Sequence, residues 1–186
     1  AAAVYLHESL VNGWLEQLPI AGIGIPDTAI DHWFTGLAAG AGLRELATAH
    51  PQLQPRLVTI LFDRQRPVQL RFRDGTAALV IRVGLAPIAG PEITTQEITI
   101  PFRVDIDSTN VHFLPEEVTI VPAYPEAPAG AIDEPARAEI KEHIQARLES
   151  RSVPRRLPIE LPQAAPLDLY VGQVSLAAGW LSVSFD

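Results

Sequence analysis

The sequence predicts one α+β domain in which a curved, mainly antiparallel sheet packs on helices near the N-terminus and in the last third of the chain. Three observations support this fold class. Apolar residues recur every three or four positions in both helical regions. They alternate with polar residues through most of the remainder. The alternating segments also follow one another without crossover helices, which favours antiparallel pairing. With 186 residues, the chain suits one well-buried domain better than two.

Residues 1–50 are predicted to be helical. The first helix covers residues 4–18 and ends before Pro19, because an apolar stripe recurs there at helical spacing. A second helix begins at Asp27, a candidate N-cap, and carries Trp33 and Phe34. Gly24 belongs to the connector between these two helices. The stripe of the first helix comprises Leu6, Leu10, Val11, Trp14, Leu15 and Leu18.

Residues 56–121 are predicted to form an antiparallel meander. Asp74 and Gly75 predict a hairpin, because this dipeptide accepts the positive φ angles of a two-residue type I′ turn. Apolar side chains line one face of residues 98–106, and polar ones line the other. Pro101 lacks a backbone donor, which indicates an edge position or a bulge in that strand.

The last third is predicted to hold one helix over residues 133–150 and closing strands over residues 157–186. Asp133 is its N-cap, and Ile140, Ile144 and Leu148 recur at four-residue spacing. The closing strands are interrupted by a shift at Gly172 and by a turn at Ala178 and Gly179.

Composition excludes several classes of function. The formal charge is −8, and no dense basic cluster is present, so nucleic acid is not an expected partner. The arginines of residues 64–73 and 147–156 are interpreted as solvated. The chain has no Cys, which rules out disulfides, thiolate nucleophiles and sulfur metal ligands. No apolar run reaches the roughly 18–20 residues of a membrane-spanning helix. The sequence does not begin with Met, so we expect an upstream segment to have been lost.

The sequence contains no recognisable catalytic motif. Its five histidines occupy separate predicted elements, so neither a metal site nor a cofactor is predicted. No serine lies in a nucleophile-elbow or Ser-x-x-Lys pattern. Asp105 and Asp107 share the polar face of one predicted strand and could serve a hydrolase as acid and base, with simple solvation as the alternative. The chain is therefore more plausibly not an enzyme.

Four aromatic residues, Trp14, Trp33, Phe34 and Trp180, are candidate contacts for a ligand or partner, although core filling is the simpler interpretation of the tryptophans. Residues 21–43 could form an apolar docking surface. Residues 7–9 and Asn12 are interpreted as helix caps or as hydrogen-bonding partners of a sheet edge.

Short motifs in three regions carry a resemblance. They are the His-Glu-Ser-Leu-Val-Asn run of residues 7–12, the strand of residues 67–72 with the Asp-Gly turn, and the Gly-Trp-Leu-Ser-Val run of residues 179–183. With these motifs the chain resembles a group of uncharacterised exported bacterial proteins, found especially in planctomycetes. Its architecture alone is also similar to the tubular lipid-binding superfamily. The first resemblance implies an exported or periplasmic location, and the second implies a lipid ligand; neither supplies catalytic residues.

The expected function is a non-catalytic binding or interaction module. It would hold an apolar ligand or lipid, or it would join a protein partner in an envelope or membrane-associated assembly. The alternative is a hydrolase that uses the carboxylate pair or a single histidine.

Overall fold

The computed structural model describes residues 2–29, 54–124, 132–159 and 167–186. These ranges contain two α-helices, twelve strands and a 3₁₀ turn at Asp27–Ala29. The helices are α1 (Glu8–Leu15) and α2 (Glu134–Gln145). The strands are β1 (Ala2–His7), β2 (Gly24–Pro26), β3 (Val58–Phe62), β4 (Val68–Arg73), β5 (Thr76–Pro87), β6 (Ile93–Ile106), β7 (Asn110–Pro115), β8 (Thr119–Pro122), β9 (Arg151–Pro154), β10 (Arg156–Ile159), β11 (Leu167–Ala177) and β12 (Trp180–Phe185).

The strands form two antiparallel sheets. The smaller has the order β1-β12-β11-β10. The larger has the order β2-β3-β5-β6-β7-β9, with β4 also beside β5 and β8 also beside β6. The chain passes between the sheets at Arg155, whose N–H donates to Thr109 and whose carbonyl oxygen accepts from Val171. The predicted α+β class with a curved antiparallel sheet is confirmed in outline, and strands dominate.

Two tight turns join the sheets at their tips. Asp74 and Gly75 have φ angles of 34° and 84°, and Ala178 and Gly179 have 49° and 85°. Both turns therefore have left-handed geometry, which the sequence predicts for Asp74 and Gly75. The Gly75 N–H donates to Leu176 O at 2.7 Å, and the Gly179 N–H donates to Phe72 O at 2.9 Å. Each turn therefore closes its own hairpin, and its glycine N–H also donates to the end of a strand in the other hairpin.

The best-defined core lies between α2 and the larger sheet. Ile100, Val118 and Ile120 are buried there. Ile140, Ile144 and Leu148 pack against them, so the predicted stripe of this helical region is confirmed. Asp133 caps the helix through the Ala136 N–H, also as predicted. The helix ends at Gln145 rather than at residue 150, because the chain returns to the sheet as β9.

The predicted first helix is wrong at its N-terminal end. Residues 2–7 form β1, which pairs with β12 throughout, and the helix begins only at Glu8. His7 lies in the extended region at φ −88° and ψ 141°, and its side chain accepts the Ser9 N–H as the N-cap. The three- and four-residue spacing of apolar residues extends into this segment by coincidence. Val4 and Tyr5 favour strands, and β12 supplies a distant pairing partner.

Three other local predictions need correction. Pro101 lies in an interior strand, not at an edge. Its carbonyl oxygen accepts from the Glu116 N–H, so its nitrogen faces the gap between β7 and β8, where no ladder donor is required. Gly24 belongs to β2 rather than to a connector. Asp27 begins a 3₁₀ turn, and the rest of the predicted second helix lies outside the described residues.

The shift at Gly172 is confirmed as a change of register between Val171 and Gln173. No helix in the described part of the chain is long and apolar enough to cross a membrane.

Helix α1 covers the open edge of β4. The side chain of Asn12 accepts the Leu70 N–H at 2.7 Å and donates to Leu70 O at 2.9 Å, as a neighbouring strand would. Glu8 accepts the Phe72 N–H at 2.7 Å. The interpretation of these polar residues as partners of a sheet edge is confirmed. The edge of β4 is therefore closed to other chains.

We expect Asn12→Ala to lower the free energy of unfolding by about 1–3 kcal/mol, because it leaves both polar groups of Leu70 without their partner. Urea denaturation measures this change. Gln17→Ala, at an exposed position just beyond α1, is the control and should change stability by less than about 0.5 kcal/mol. Equal effects of the two substitutions would contradict the assigned role of Asn12.

Candidate functional site

Within the described residues, strand β1 pairs only with β12, so its other side is an edge of the smaller sheet, which we call the β1 edge. The Glu8 N–H donates to Gly179 O at 2.8 Å, and the ladder pairs Leu6 with Leu181. Because backbone groups alternate in direction along an antiparallel strand, even-numbered residues bond to β12. The N–H and C=O groups of Ala3 and Tyr5 therefore point away from the sheet.

The described residues give the β1 edge none of the protection found at other edges of the fold. Strand β4 is covered by α1, β10 carries Arg156 and Pro158, and β2 ends at Pro26. Charges, prolines and covering elements all discourage pairing with another chain. Strand β1 has no charged residue, no proline and no register shift. Nothing in the described part of the chain pairs with its outward-pointing backbone groups.

An aromatic cluster lies beside this edge. The ring centroids of His7 and Trp180 are 4.7 Å apart, with an interplanar angle of 67°. Tyr5 lies two residues along β1 from His7, so it is the diagonal neighbour of Trp180 on the same sheet face. Tyr5 is 68% exposed and Trp180 is 49% exposed. Large exposed aromatic side chains are typical of partner contacts.

The outer side of α1 adds a second apolar surface. Leu10 and Trp14 are separated by one helical turn and are both exposed. The opposite side of the helix carries Glu8 and Asn12, which bind β4. The helix is thus anchored by polar contacts, while apolar side chains face solvent.

The tryptophans are not core residues where they can be described. Trp14 and Trp180 are both about half exposed, so the core-filling interpretation is wrong for these two. Trp14 lies on the side of α1 that faces away from β4, and Trp180 begins an outer-face row of β12. The other two candidate contacts, Trp33 and Phe34, lie outside the described residues, as do most of residues 21–43.

The carboxylates of the predicted pair share no hydrogen-bond partner among the described residues. Strand β6 ends at Ile106, so Asp107 lies in the following turn rather than on the polar face with Asp105. Asp105 accepts the N–H of the next residue, Ile106. Asp107 instead accepts the backbone N–H groups of Thr109 and Asn110, each at 2.7 Å. The two carboxylates therefore have separate local partners.

Asp107 is brought together with a histidine and a serine. His112 Nε2 lies 2.7 Å from Asp107 Oδ2, and His112 Nδ1 lies 2.8 Å from Ser152 Oγ. His112 and Ser152 are direct cross-strand partners of β7 and β9. The bond from His112, together with those from Thr109 and Asn110, holds the pKa of Asp107 well below its usual range. We call these three side chains the Ser152–His112–Asp107 chain.

The sequence did not indicate this grouping. The Asp-Ser-Thr-Asn run of residues 107–110 signals a turn, but the pairing of β7 with β9 joins residues 40 positions apart. Across the described residues, no three His, Asp or Glu side chains are grouped as metal ligands. Of the five histidines, His32 and His50 lie outside the described residues.

Several arginines form ion pairs and are not simply solvated. The carboxylate of Glu97 accepts from Arg71 at 3.0 Å and from Arg82 at 2.8 Å. Burial alone would raise the pKa of Glu97, but the bonds and charges of the two arginines outweigh it and lower the pKa. Arg73 binds Glu8 at 3.1 Å. These contacts stabilise the sheet face and the α1 junction, which corrects the interpretation of this basic stretch.

Neither a scan against protein-family models nor a search of curated proteins gave a match to this chain.

Proposed function

We propose that this protein is an interaction module that receives an extended, uncharged segment of a partner protein at the β1 edge. The observation that carries the proposal is the outward direction of the Ala3 and Tyr5 backbone groups on a strand without charge or proline. A new strand would pair there and extend the smaller sheet, which is a recurring mode of peptide recognition.

The aromatic cluster supports the same proposal. Tyr5 and Trp180 project from the face next to the open edge, where they can contact alternate side chains of an added strand. Backbone hydrogen bonds would supply affinity, and these side-chain contacts would supply selectivity. The partner is thus expected to alternate apolar residues with small or polar ones.

The chemistry of the edge favours a peptide over a lipid. A lipid chain cannot satisfy the N–H and C=O groups of Ala3 and Tyr5, whereas a strand satisfies all four. The formal charge of −8 also favours a different chain over a second copy, since two copies repel each other. An envelope or membrane-associated assembly is the proposed setting, in keeping with the resemblance to exported proteins.

The test is selection of short peptides from a displayed library, followed by affinity measurement with the intrinsic tryptophan fluorescence of the protein. We expect selected peptides to carry alternating apolar residues and to lose at least about tenfold in affinity with Tyr5→Lys, because a charge on an edge strand opposes pairing. Gln173→Lys is the matched control, since Gln173 is exposed on the same sheet face but belongs to an interior strand. It should leave affinity unchanged.

Equal loss of affinity in both variants would contradict the proposal. It would also be contradicted by self-association of the pure protein that disappears with Tyr5→Lys, because the occupant would then be a second copy. Saturable binding of neutral phosphatidylcholine vesicles that competes with the peptides would assign the surface to lipid instead.

A further inference from the structure

The Ser152–His112–Asp107 chain lies on the larger sheet, apart from the β1 edge, and the proposed binding function does not use it. Its three side chains are partly exposed. Its contacts connect a hydroxyl to an imidazole at 2.8 Å and the imidazole to a carboxylate at 2.7 Å. Nucleophile, base and orienting acid occur in this order in serine-based acyl transfer.

The proton positions in this chain follow from its acceptors. Asp107 is ionised near neutral pH because His112, Thr109 and Asn110 all donate to it. An ionised carboxylate only accepts hydrogen bonds, so His112 Nε2 must carry a proton. In the neutral ring, Nδ1 then carries no proton, and it accepts a hydrogen bond from the hydroxyl group of Ser152. This arrangement places a base directly on the serine hydroxyl.

The backbone holds each member of the chain in position. Ser152 and His112 are paired directly across β9 and β7. Asp107 Oδ1 is held in its turn by Thr109 and Asn110, which leaves Oδ2 to the imidazole. A fixed carboxylate keeps the ring in one tautomer and one orientation. Asp107 is therefore a positioning residue for the Ser152–His112 pair.

We infer that Ser152 is an activated nucleophile that accepts acyl groups from activated esters. Its Oγ attacks the ester carbonyl carbon while the hydroxyl proton moves to His112 Nδ1. The bond to the alcohol leaving group breaks, and the proton passes from Nδ1 to the departing oxygen. Attack by water on the acyl-serine, with the same proton transfers, releases the carboxylic acid and restores Ser152.

A second serine–histidine pair in the same protein is an internal control for this inference. Ser9 Oγ also lies 2.8 Å from a histidine Nδ1, that of His7. No described carboxylate binds the other nitrogen of His7, whose Nδ1 also accepts the backbone N–H of Ser9. The two serine–histidine pairs therefore differ mainly in the carboxylate that binds the other ring nitrogen of His112.

The test is acetylation of the intact protein by p-nitrophenyl acetate, with the modified residues located by peptide mass spectrometry. We expect Ser152 to be acetylated at least about 100-fold faster than Ser9, because the His112 ring, unlike that of His7, is held by a carboxylate, and loss of such a carboxylate lowers the rate of a serine–histidine pair by up to about 10⁴-fold. Asp107→Asn should remove most of this difference, because the amide can donate to Nε2 and leave the proton on Nδ1.

Labelling of Ser152 at the rate of Ser9 in the folded wild-type protein would overturn the inference. So would an acetyl group that remains on His112, or a Ser152 rate unaffected by Asp107→Asn. Circular dichroism of the variant establishes that its fold is retained. Asparagine keeps the turn-forming oxygen, so the substitution preserves the contacts to Thr109 and Asn110.

Discussion

Gly179→Val is expected to destabilise the protein by about 2–5 kcal/mol. The residue has φ of 85°, which alone costs a side-chain-bearing residue about 1–2 kcal/mol. An added Cβ would lie 3.0 Å from His7 Nε2 and 3.4 Å from Glu8 Cδ. His7 caps α1 and contacts Trp180, so it has little freedom to move away. Crowding of this kind costs about 1–3 kcal/mol in addition.

Gly75→Val is the matched control, because Gly75 occupies the same place in the other turn at φ of 84°. Nothing lies within 4 Å of a Cβ built there. Urea denaturation of both variants should therefore give a difference of about 1–3 kcal/mol, which isolates the contact with His7 from the backbone term. Equal destabilisation would show that the junction between this turn and α1 is not tightly packed.

Glu97→Gln is the second substitution with a large expected effect, a loss of about 2–3 kcal/mol near neutral pH. The carboxylate binds both Arg71 and Arg82, and its side chain is only 15% exposed. A neutral amide leaves two guanidinium groups close together without their shared anion. Glu92→Gln, at an exposed position, is the control and should change stability by less than about 0.5 kcal/mol.

The pH dependence of this effect follows from the lowered pKa of Glu97. The folded protein binds this proton less readily than the unfolded chain, whose glutamate has a pKa near 4.5. The stabilisation is therefore fully present above that value and is lost as the pH falls through the folded-state pKa. Denaturation curves should show the difference between wild type and Glu97→Gln shrinking in acid. A constant difference down to strongly acidic pH would contradict the assigned ion pairs.

Local signals predicted much of the fold. The Asp-Gly turn, the alternation of residues 98–106 and the cap of α2 each depend on neighbours in sequence, and each is confirmed. Strand β1 was missed because its identity depends on β12, almost the whole chain away. Apolar spacing cannot distinguish a short strand from the first turns of a helix when the pairing partner is distant.

The candidate sites were harder to predict for the same reason. Tyr5 and Trp180 become neighbours only through the β1–β12 ladder, and His112 meets Ser152 only through β7 and β9. The sequence identified Trp180 as a possible contact, but it did not indicate that β1 has an open edge. Register between distant strands is set by packing of the whole sheet, so no local pattern encodes these pairs.

The most direct measurement of the central claim is amide hydrogen exchange of β1 with and without a selected peptide. In the free protein, the amides of Ala3 and Tyr5 should exchange faster than those of Val4 and Leu6, which bond to β12. A bound strand should slow Ala3 and Tyr5 by at least about tenfold, because their N–H groups become hydrogen-bonded. If the peptide binds while these two amides continue to exchange rapidly, recognition occurs elsewhere and the β1 edge is not the binding site.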